Sequence, residues 1–414
     1  MQTPNTTYKN TEIGTIPVDW EVKKMGEVTD ITRLAGYEYS TLWEETSDGE
    51  IIALRGFNIG KNKIIERETV RISNKLSMRL IRSQLFKGDV VYPCVGTIGN
   101  AVVIEEDNKF HIQQNIAKIS PCRKLSSYFL AHYLMSDLGL REIEKFNGSS
   151  SQPNILVGSL RKYAIIIPTL TEQTAIANAL SDADALINNV EKLITKKRNI
   201  KQGAMQKLLE PKEGWEVKKL GEIGEFKNGI NKGGEDFGFG YPFVNLLDVF
   251  GKTKISDNSH LGLINSNEMD RRMYELRKGD VLFIRSSVKP EGVGLTCIID
   301  ENLENTVFSG FIIRFRDNGL LSKEFKEYCF SSQHFRNRVI AGSSVSANTN
   351  INQDTLKNLI LHFPKSKETQ IKIAQILSDM DLEIAGLEGK LSKYRAIKTG
   401  MMQQLLTGKI RLVV

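Results

Sequence analysis

Two stretches of the chain hold an apolar stripe at helical spacing over an unusual length. From Ile373, steps of four and three residues reach Leu377, Met380, Ile384, Leu387, Leu391, Tyr394, Lys398, Met401 and Leu405. Nine of these ten are apolar or aromatic, so the repeat is 3.5 residues, the period of a coiled-coil seam. An earlier row runs Ile176, Leu180, Ala183, Ile187, Val190, Ile194, Lys197, Lys201, Ala204 and Leu208, with Lys197 and Lys201 as its polar members. Neither 171–209 nor 368–406 contains proline, and each predicts one helix about 58 Å long at ~1.5 Å per residue. Such a helix cannot bury its stripe against one small domain. The two are expected to pair antiparallel within the chain, with some apolar surface left for a larger bundle.

The rest of the chain reads differently. Short β-branched runs punctuated by Gly, Asn and Asp predict strands at 50–54, 89–92, 101–104 and 164–167, then at 241–245, 281–284, 296–299, 311–315 and 359–363. Helical spacing with aromatics covers 126–146 and 322–340. There Tyr128, Phe129, Tyr133, Phe325, Tyr328 and Phe335 are expected to pack the helices on a sheet.

These patterns occur twice. Trp20-Glu-Val-Lys-Lys-Met-Gly-Glu27 returns as Trp215-Glu-Val-Lys-Lys-Leu-Gly-Glu222, and Lys87-Gly88-Asp89-Val90 as Lys278-Gly279-Asp280-Val281. Gly148-Ser149-Ser150 returns as Gly342-Ser343-Ser344, and Ser181-Asp182-x-Asp184 as Ser378-Asp379-x-Asp381. The matches keep their order through the whole chain. Their period is the length of a domain, far too long for a solenoid repeat, so the molecule is two similar α/β halves in tandem. Scaffold positions match well and interiors diverge, as in two modules doing one kind of job on different targets.

Composition narrows the class. With 414 residues, 40% apolar and 25% charged, the chain is expected to fold into several domains. Lys and Arg number 56 against 49 Asp and Glu, a net charge of +7 that permits a polyanionic partner. Cys94, Cys122, Cys297 and Cys329 show no C-x-x-C spacing, and the polar opening lacks a signal core. No stretch approaches the ~20 apolar residues of a membrane span, so a cytoplasmic protein is expected. Phosphate-loop, zincin, G-x-S-x-G and Rossmann patterns are absent; Gly251-Lys252-Thr253 lacks the leading glycine of a phosphate loop. A recognition protein is favoured over an enzyme.

The ordered set of motifs resembles the DNA-specificity subunit family of type I restriction-modification systems. The residues that carry the likeness are Ile16-Pro17-x-x-Trp20-Glu21, the repeated Lys-Gly-Asp-Val and Gly-Ser-Ser, Pro168 followed by Glu172-Gln173-x-x-Ile176-Ala177, and the closing Leu405-Leu406-Thr407-Gly408-Lys409-Ile410-Arg411. The second helix departs from the pattern, opening Glu368-Thr369-Gln370. The resemblance implies a mixed α/β fold: two tandem target-recognition domains, 1–168 and 214–364, joined by two long antiparallel coiled-coil helices, 169–213 and 365–414, about a pseudo-twofold axis. It implies a non-catalytic chain that reads an asymmetric bipartite sequence in double-stranded DNA. Its partners would be DNA methyltransferase subunits, two per chain, and motor-nuclease subunits. S-adenosylmethionine, ATP and Mg²⁺ would belong to those partners, with no cofactor in this chain. Two readings of other classes are a nuclease with an unrecognised carboxylate site and a structural scaffold of a related defence complex.

Candidate DNA contacts follow from residue type. Arg55 and its counterpart Asn245 each follow a strand; Arg favours guanine and Asn adenine in bidentate contacts. Asn58 lies in the same turn as Arg55, and Lys61 and Lys63 are candidate phosphate ligands. Ser149, Ser150 and Ser151 in the first half, and Ser343, Ser344 and Asn348 in the second, supply small donors that approach a base edge or backbone closely. Arg285, Ser286, Ser287 and Lys289 form a basic, polar loop where the first half has Cys94 to Ile98. Thr97 and Asn100, with Gln113, Gln114 and Asn115, are further candidates. The basic run Lys196-Lys197-Arg198 reads as a solvated helix face.

Overall fold

A computed structural model describes residues 7–146, 154–345 and 348–412. It divides into two units: residues 1–192 with 389–414, and residues 193–388. The long helices are Leu170–Leu208 and Lys367–Leu405, each 39 residues, within one residue of the predicted limits. Each begins in one unit and ends in the other.

In the first unit a four-stranded sheet has the order Thr29–Arg33, Ile116–Pro121, Val90–Pro93, Val102–Val103. A three-stranded sheet beside it has Ile51–Leu54 between Val70–Ile72 and Phe110–Ile112, the last pairing parallel. The second unit repeats the plan. Its larger sheet runs Gly224–Asn228, Ile312–Asp317, Val281–Ile284, Thr296–Ile299, Lys254–Ile255, and its smaller sheet places Phe237–Val244 between Gly262–Ile264 and the parallel Val307–Phe308. The repeated Trp-Glu-Val-Lys-Lys is a strand in both units, at Glu21–Lys24 and Trp215–Lys219, pairing antiparallel with Ala164–Ile167 and Ile360–Pro364.

The repeated Lys-Gly-Asp-Val is a turn that feeds the central strand. Gly88 and Gly279 take φ of +91° and +86°, which glycine adopts without steric cost. Asp89 accepts from the Phe86 amide at 2.8 Å, and Asp280 from the Arg277 amide at 2.8 Å. Both carboxylates are buried and paired with a cation on the neighbouring strand, Lys118 at 3.3 Å and Arg316 at 2.7 Å.

Each region expected to hold one aromatic helix holds two: Ser127–Leu134 with Asp137–Phe146, and Lys323–Cys329 with Gln333–Gly342. Serines make the breaks. Ser136 accepts from the Gly139 amide, and Ser332 caps the next helix by accepting from Phe335. Phe129, Tyr133, Phe325, Tyr328 and Phe335 are buried as expected, but Tyr128 is 43% exposed and donates to Glu105 instead.

The helix seam is used in two ways. Ile176, Ala177 and Leu180 enter the core of the first unit, as do Leu405 and Leu406; Ile373, Ala374, Leu377 and Leu209 enter that of the second. Beyond those ends the helices face each other antiparallel within each unit. In the first unit Asp184 meets Lys398 at 2.5 Å and Glu191 meets Arg395 at 2.8 Å. In the second Lys201 meets Asp381 at 2.5 Å and Lys197 meets Glu383 at 2.6 Å. The polar interruptions of the apolar rows are therefore ion pairs between the helices. The run at 196–198 is partly spent the same way, since Arg198 reaches Glu388 at 2.5 Å.

Candidate nucleic-acid interface

Three loops converge in each unit, and the same backbone hydrogen bonds hold them. The first follows the central strand of the smaller sheet. Leu54 accepts from the Gln113 amide at 3.0 Å, and Val244 accepts from the Ser309 amide at 3.0 Å. The second follows the central strand of the larger sheet: the Cys94 amide donates to Asn115 at 2.7 Å, and that of Arg285 donates to Phe311 at 2.9 Å. A third segment closes the group, with Ile155 donating to Cys94 at 2.8 Å and Ile351 to Arg285 at 2.9 Å. These bonds match Arg55 with Asn245, Cys94 with Arg285, and Asn115 with Phe311, and counting three residues on from the second pair sets Thr97 beside Val288.

In the first unit, Arg55 stacks its guanidinium on Phe57 at 4.6 Å and donates to the Glu68 carbonyl, which holds it half-buried at the rim. Thr97 is exposed and donates to Gly56 at 2.7 Å. Asn100 is half-buried and donates to Ile59 at 2.9 Å. Asn58 requires a correction. It is fully buried, accepts from the Arg55 amide and donates to the carbonyls of Ile65 and Arg67, so its amide fastens the turn and presents nothing to a ligand. Lys61 stands apart from the loops. With Lys63, Arg141, Arg395 and Lys398 it lines an 850 Å³ cavity beside the helix pair of the first unit. Ser149, Ser150 and Ser151 lie outside the described residues.

In the second unit, Asn245 is exposed and caps a short helix, accepting from Leu246 at 2.7 Å, while its own amide donates to Asp248 at 2.9 Å. Arg285 donates to Gly310 at 3.3 Å. Ser286 and Ser287 form a strand pairing with Asn350 and Thr349, which pair in turn with Ser344 and Val345. The two polar loops singled out from the sequence are thus one small sheet. Lys289 and Asn348 are exposed at its edge. Ser343 ends the preceding helix, donating to Ile340 at 2.7 Å. Three exposed apolar side chains stand among these donors and carry no polar signal in the sequence: Leu247, Val288 and Phe311, at 80%, 82% and 58% exposure. Counted along the same hydrogen-bond frame, their counterparts in the first unit are Phe57, Thr97 and Asn115.

The model of the type I restriction modification DNA specificity domain matches this chain twice, at residues 17–201 and 212–393. The chain belongs to this family. The EcoKI specificity subunit of Escherichia coli K12 is 22% identical over 426 residues, 96% of this chain and 90% of its own length. The putative MjaX specificity subunit of Methanocaldococcus jannaschii is 27% identical over 286 residues, and the MjaVIII specificity subunit of the same organism 30% over 186. These alignments span 63% and 43% of those two relatives' length. Among solved structures, the S subunit of a type I restriction-modification system from M. genitalium aligns over 93% of this chain and 96% of its own, with a TM-score of 0.54 at 17% identity. A chain from a study of complex assembly and conformational transition in a type I R-M system aligns over 95% and 99%, with a TM-score of 0.61 at 16% identity. Those likenesses establish the mixed α/β specificity-subunit fold. No described helix is long and apolar enough to cross a membrane.

Proposed function

We propose that the chain is the sequence-specificity subunit of a cytoplasmic type I restriction-modification complex, reading one half of a bipartite DNA target with each unit. The observation that carries this reading is the duplicated loop cluster: one hydrogen-bond frame, built twice, with different side chains at its tips. Frames fix register, and tip residues choose bases. The pairs Arg55/Asn245 and Asn115/Phe311 differ as two readers of unlike half-sites should. Lys61, Lys63 and Lys289 would hold phosphates.

The chain itself does no chemistry on this reading. Methyltransferase subunits, two per chain, bind the long helices and bring in the motor-nuclease subunits; S-adenosylmethionine, ATP and Mg²⁺ act there. Leu186, Leu193 and Ile200 support the docking role, because they recur every seven residues on the first helix and are 52%, 38% and 47% exposed.

Mapping N6-methylated adenines in cells carrying the full system tests the proposal. The expected result is one bipartite motif with a fixed gap, bound by the assembled complex with strong salt dependence. Cleavage of DNA by the purified chain with Mg²⁺ alone would instead support a nuclease. Methylation without a bipartite motif would defeat the proposal.

A further inference from the structure

Leu247, Val288 and Phe311 are among the most exposed large apolar residues of the second unit. Leu247 and Val288 sit on two of the loops that the frame brings together, Phe311 on the segment that accepts from the Arg285 amide, and each has a counterpart in the first unit. Thr97 stands where Val288 does and Asn115 where Phe311 does, so these two tips are polar in one unit and apolar in the other, whereas Leu247 keeps an apolar counterpart, Phe57, 44% exposed beneath the Arg55 guanidinium. Phe250, 52% exposed, joins the group: its ring lies beside Gly292, which also abuts Ser287 next to Val288. Large side chains left in water at a loop tip mark a surface that is covered in use.

Charge and spacing say by what. Arg285 and Lys289 flank Val288 within the same loop, and Asn245 precedes Leu247 by two residues. A protein-docking patch would be a contiguous apolar area with a polar rim. Here single apolar tips alternate with hydrogen-bond donors and cations. Duplex DNA presents the complementary mixture in its major groove, where thymine alone offers an apolar C5-methyl among acceptors and donors.

We infer that the second unit selects its half-site partly through thymine methyl groups, with Val288 and Phe311 as the principal specificity-determining contacts and Leu247 at their side. The first unit, with Thr97 and Asn115 at those two tips and its Phe57 ring stacked under Arg55, reads its half-site chiefly by polar contacts. This inference rests on the DNA-reading function proposed above and adds the chemistry of one half-site.

The test uses the assembled complex and the motif found by methylation mapping. Duplexes are prepared in which the thymines of one half-site, on both strands, are replaced by deoxyuridine, which removes only the methyl group. Affinity should fall roughly three- to tenfold per contacted thymine in one half-site and stay unchanged in the other. Val288→Ser and Phe311→Asn, which remove the apolar tips, should abolish that penalty while the complex still assembles. Equal binding of thymine and uracil duplexes in both half-sites, a penalty that survives both variants, or a motif without A·T pairs in the second unit's half-site would overturn the inference and leave bipartite reading intact. Loss of subunit assembly in the variants would assign the patch to a protein partner and overturn it as well. A complex without sequence-selective binding would remove the parent proposal.

Discussion

Arg411 spends its whole guanidinium on two carboxylates. It donates to Glu172 at 2.5 and 2.8 Å and to Asp19 at 3.1 and 2.8 Å, while the Trp20 indole donates to the same Glu172 at 2.9 Å. Arg411 and Glu172 are nearly buried, with 11% and 4% of their side chains exposed. Hydrogen bonding to Arg411 holds Asp19 below the usual carboxylate range, and the two carboxylates push the guanidinium up. The second unit has Thr369 in place of Glu172 and needs no such clamp, because there the chain runs on from the first long helix into Trp215. The departure in the second helix start therefore has a physical reason. Gln370 keeps the role of Gln173: each accepts from a serine amide, Ser322 or Ser126, and donates to a proline carbonyl, Pro364 or Pro168. Arg411→Ala strands a buried carboxylate and should destabilise the first unit by about 3–5 kcal/mol. Arg411→Lys should recover part of this, since one ammonium cannot replace a bidentate fork. Denaturant unfolding followed by tryptophan fluorescence reads both, and an unchanged midpoint in the alanine variant would refute the clamp. At this scale the sequence announced residue types and little of their geometry. Nothing in a single Asn distinguishes Asn58, consumed by its own turn, from Asn245, exposed at a helix start.

Among elements, the long helices were the most legible, because a 3.5-residue period sustained over many turns arises in little besides a helix seam. The strand formed by Trp-Glu-Val-Lys-Lys was not, since its lysines carry no apolar alternation; only the repeat marked it as structural. Where each helix pair meets its α/β unit, the seam changes chemistry. Asp184 pairs with Lys398 and lies against His132, while Asp381 pairs with Lys201 and accepts from Tyr328 at 3.1 Å. His132 is buried, with Asn62 and Ser181 at hydrogen-bond distance. Burial pushes its pKa down to about 4; Lys398 adds to the shift and Asp184 opposes it. Unfolded, the ring titrates near ~6.5. Between those values the unfolded chain binds the extra proton, so the first unit holds its full stability above about pH 6.5 and loses it progressively down to about pH 4. The loss attributable to His132 should be on the order of 2–3 kcal/mol. Burial shifts His111 in the same direction and adds to the slope. Thermal unfolding from pH 7 to 4.5 should therefore show an acid-sensitive first unit, with a flatter profile in His132→Gln. Parallel profiles for the two proteins would show that another group titrates.

For the whole molecule, duplication was the decisive sequence signal, since it gave two heads and two helices before any strand was placed. Base choice was not legible, because a tip residue acquires its meaning only when the frame beneath it is known. The helices also carry the molecule's largest mechanical consequence. Every pairing described between them lies within one unit, and each helix passes from one unit to the other at 192–193 or 388–389. Insertions there leave the ion pairs and both cores untouched, whereas an insertion beside Lys201 would break its pairing with Asp381. Four residues added at both crossings make about one helical turn, ~6 Å per helix, so the apolar stripe stays nearly in phase. If the helices set the separation of the readers, the gap between half-sites should change by about two base pairs at ~3.4 Å each. The bases of each half-site should stay as they were, since no loop of either cluster is altered. Methylation mapping reads both quantities at once. An unchanged gap would remove the spacing role from the helices, and altered half-site bases would mean that the insertion had disturbed the loops themselves.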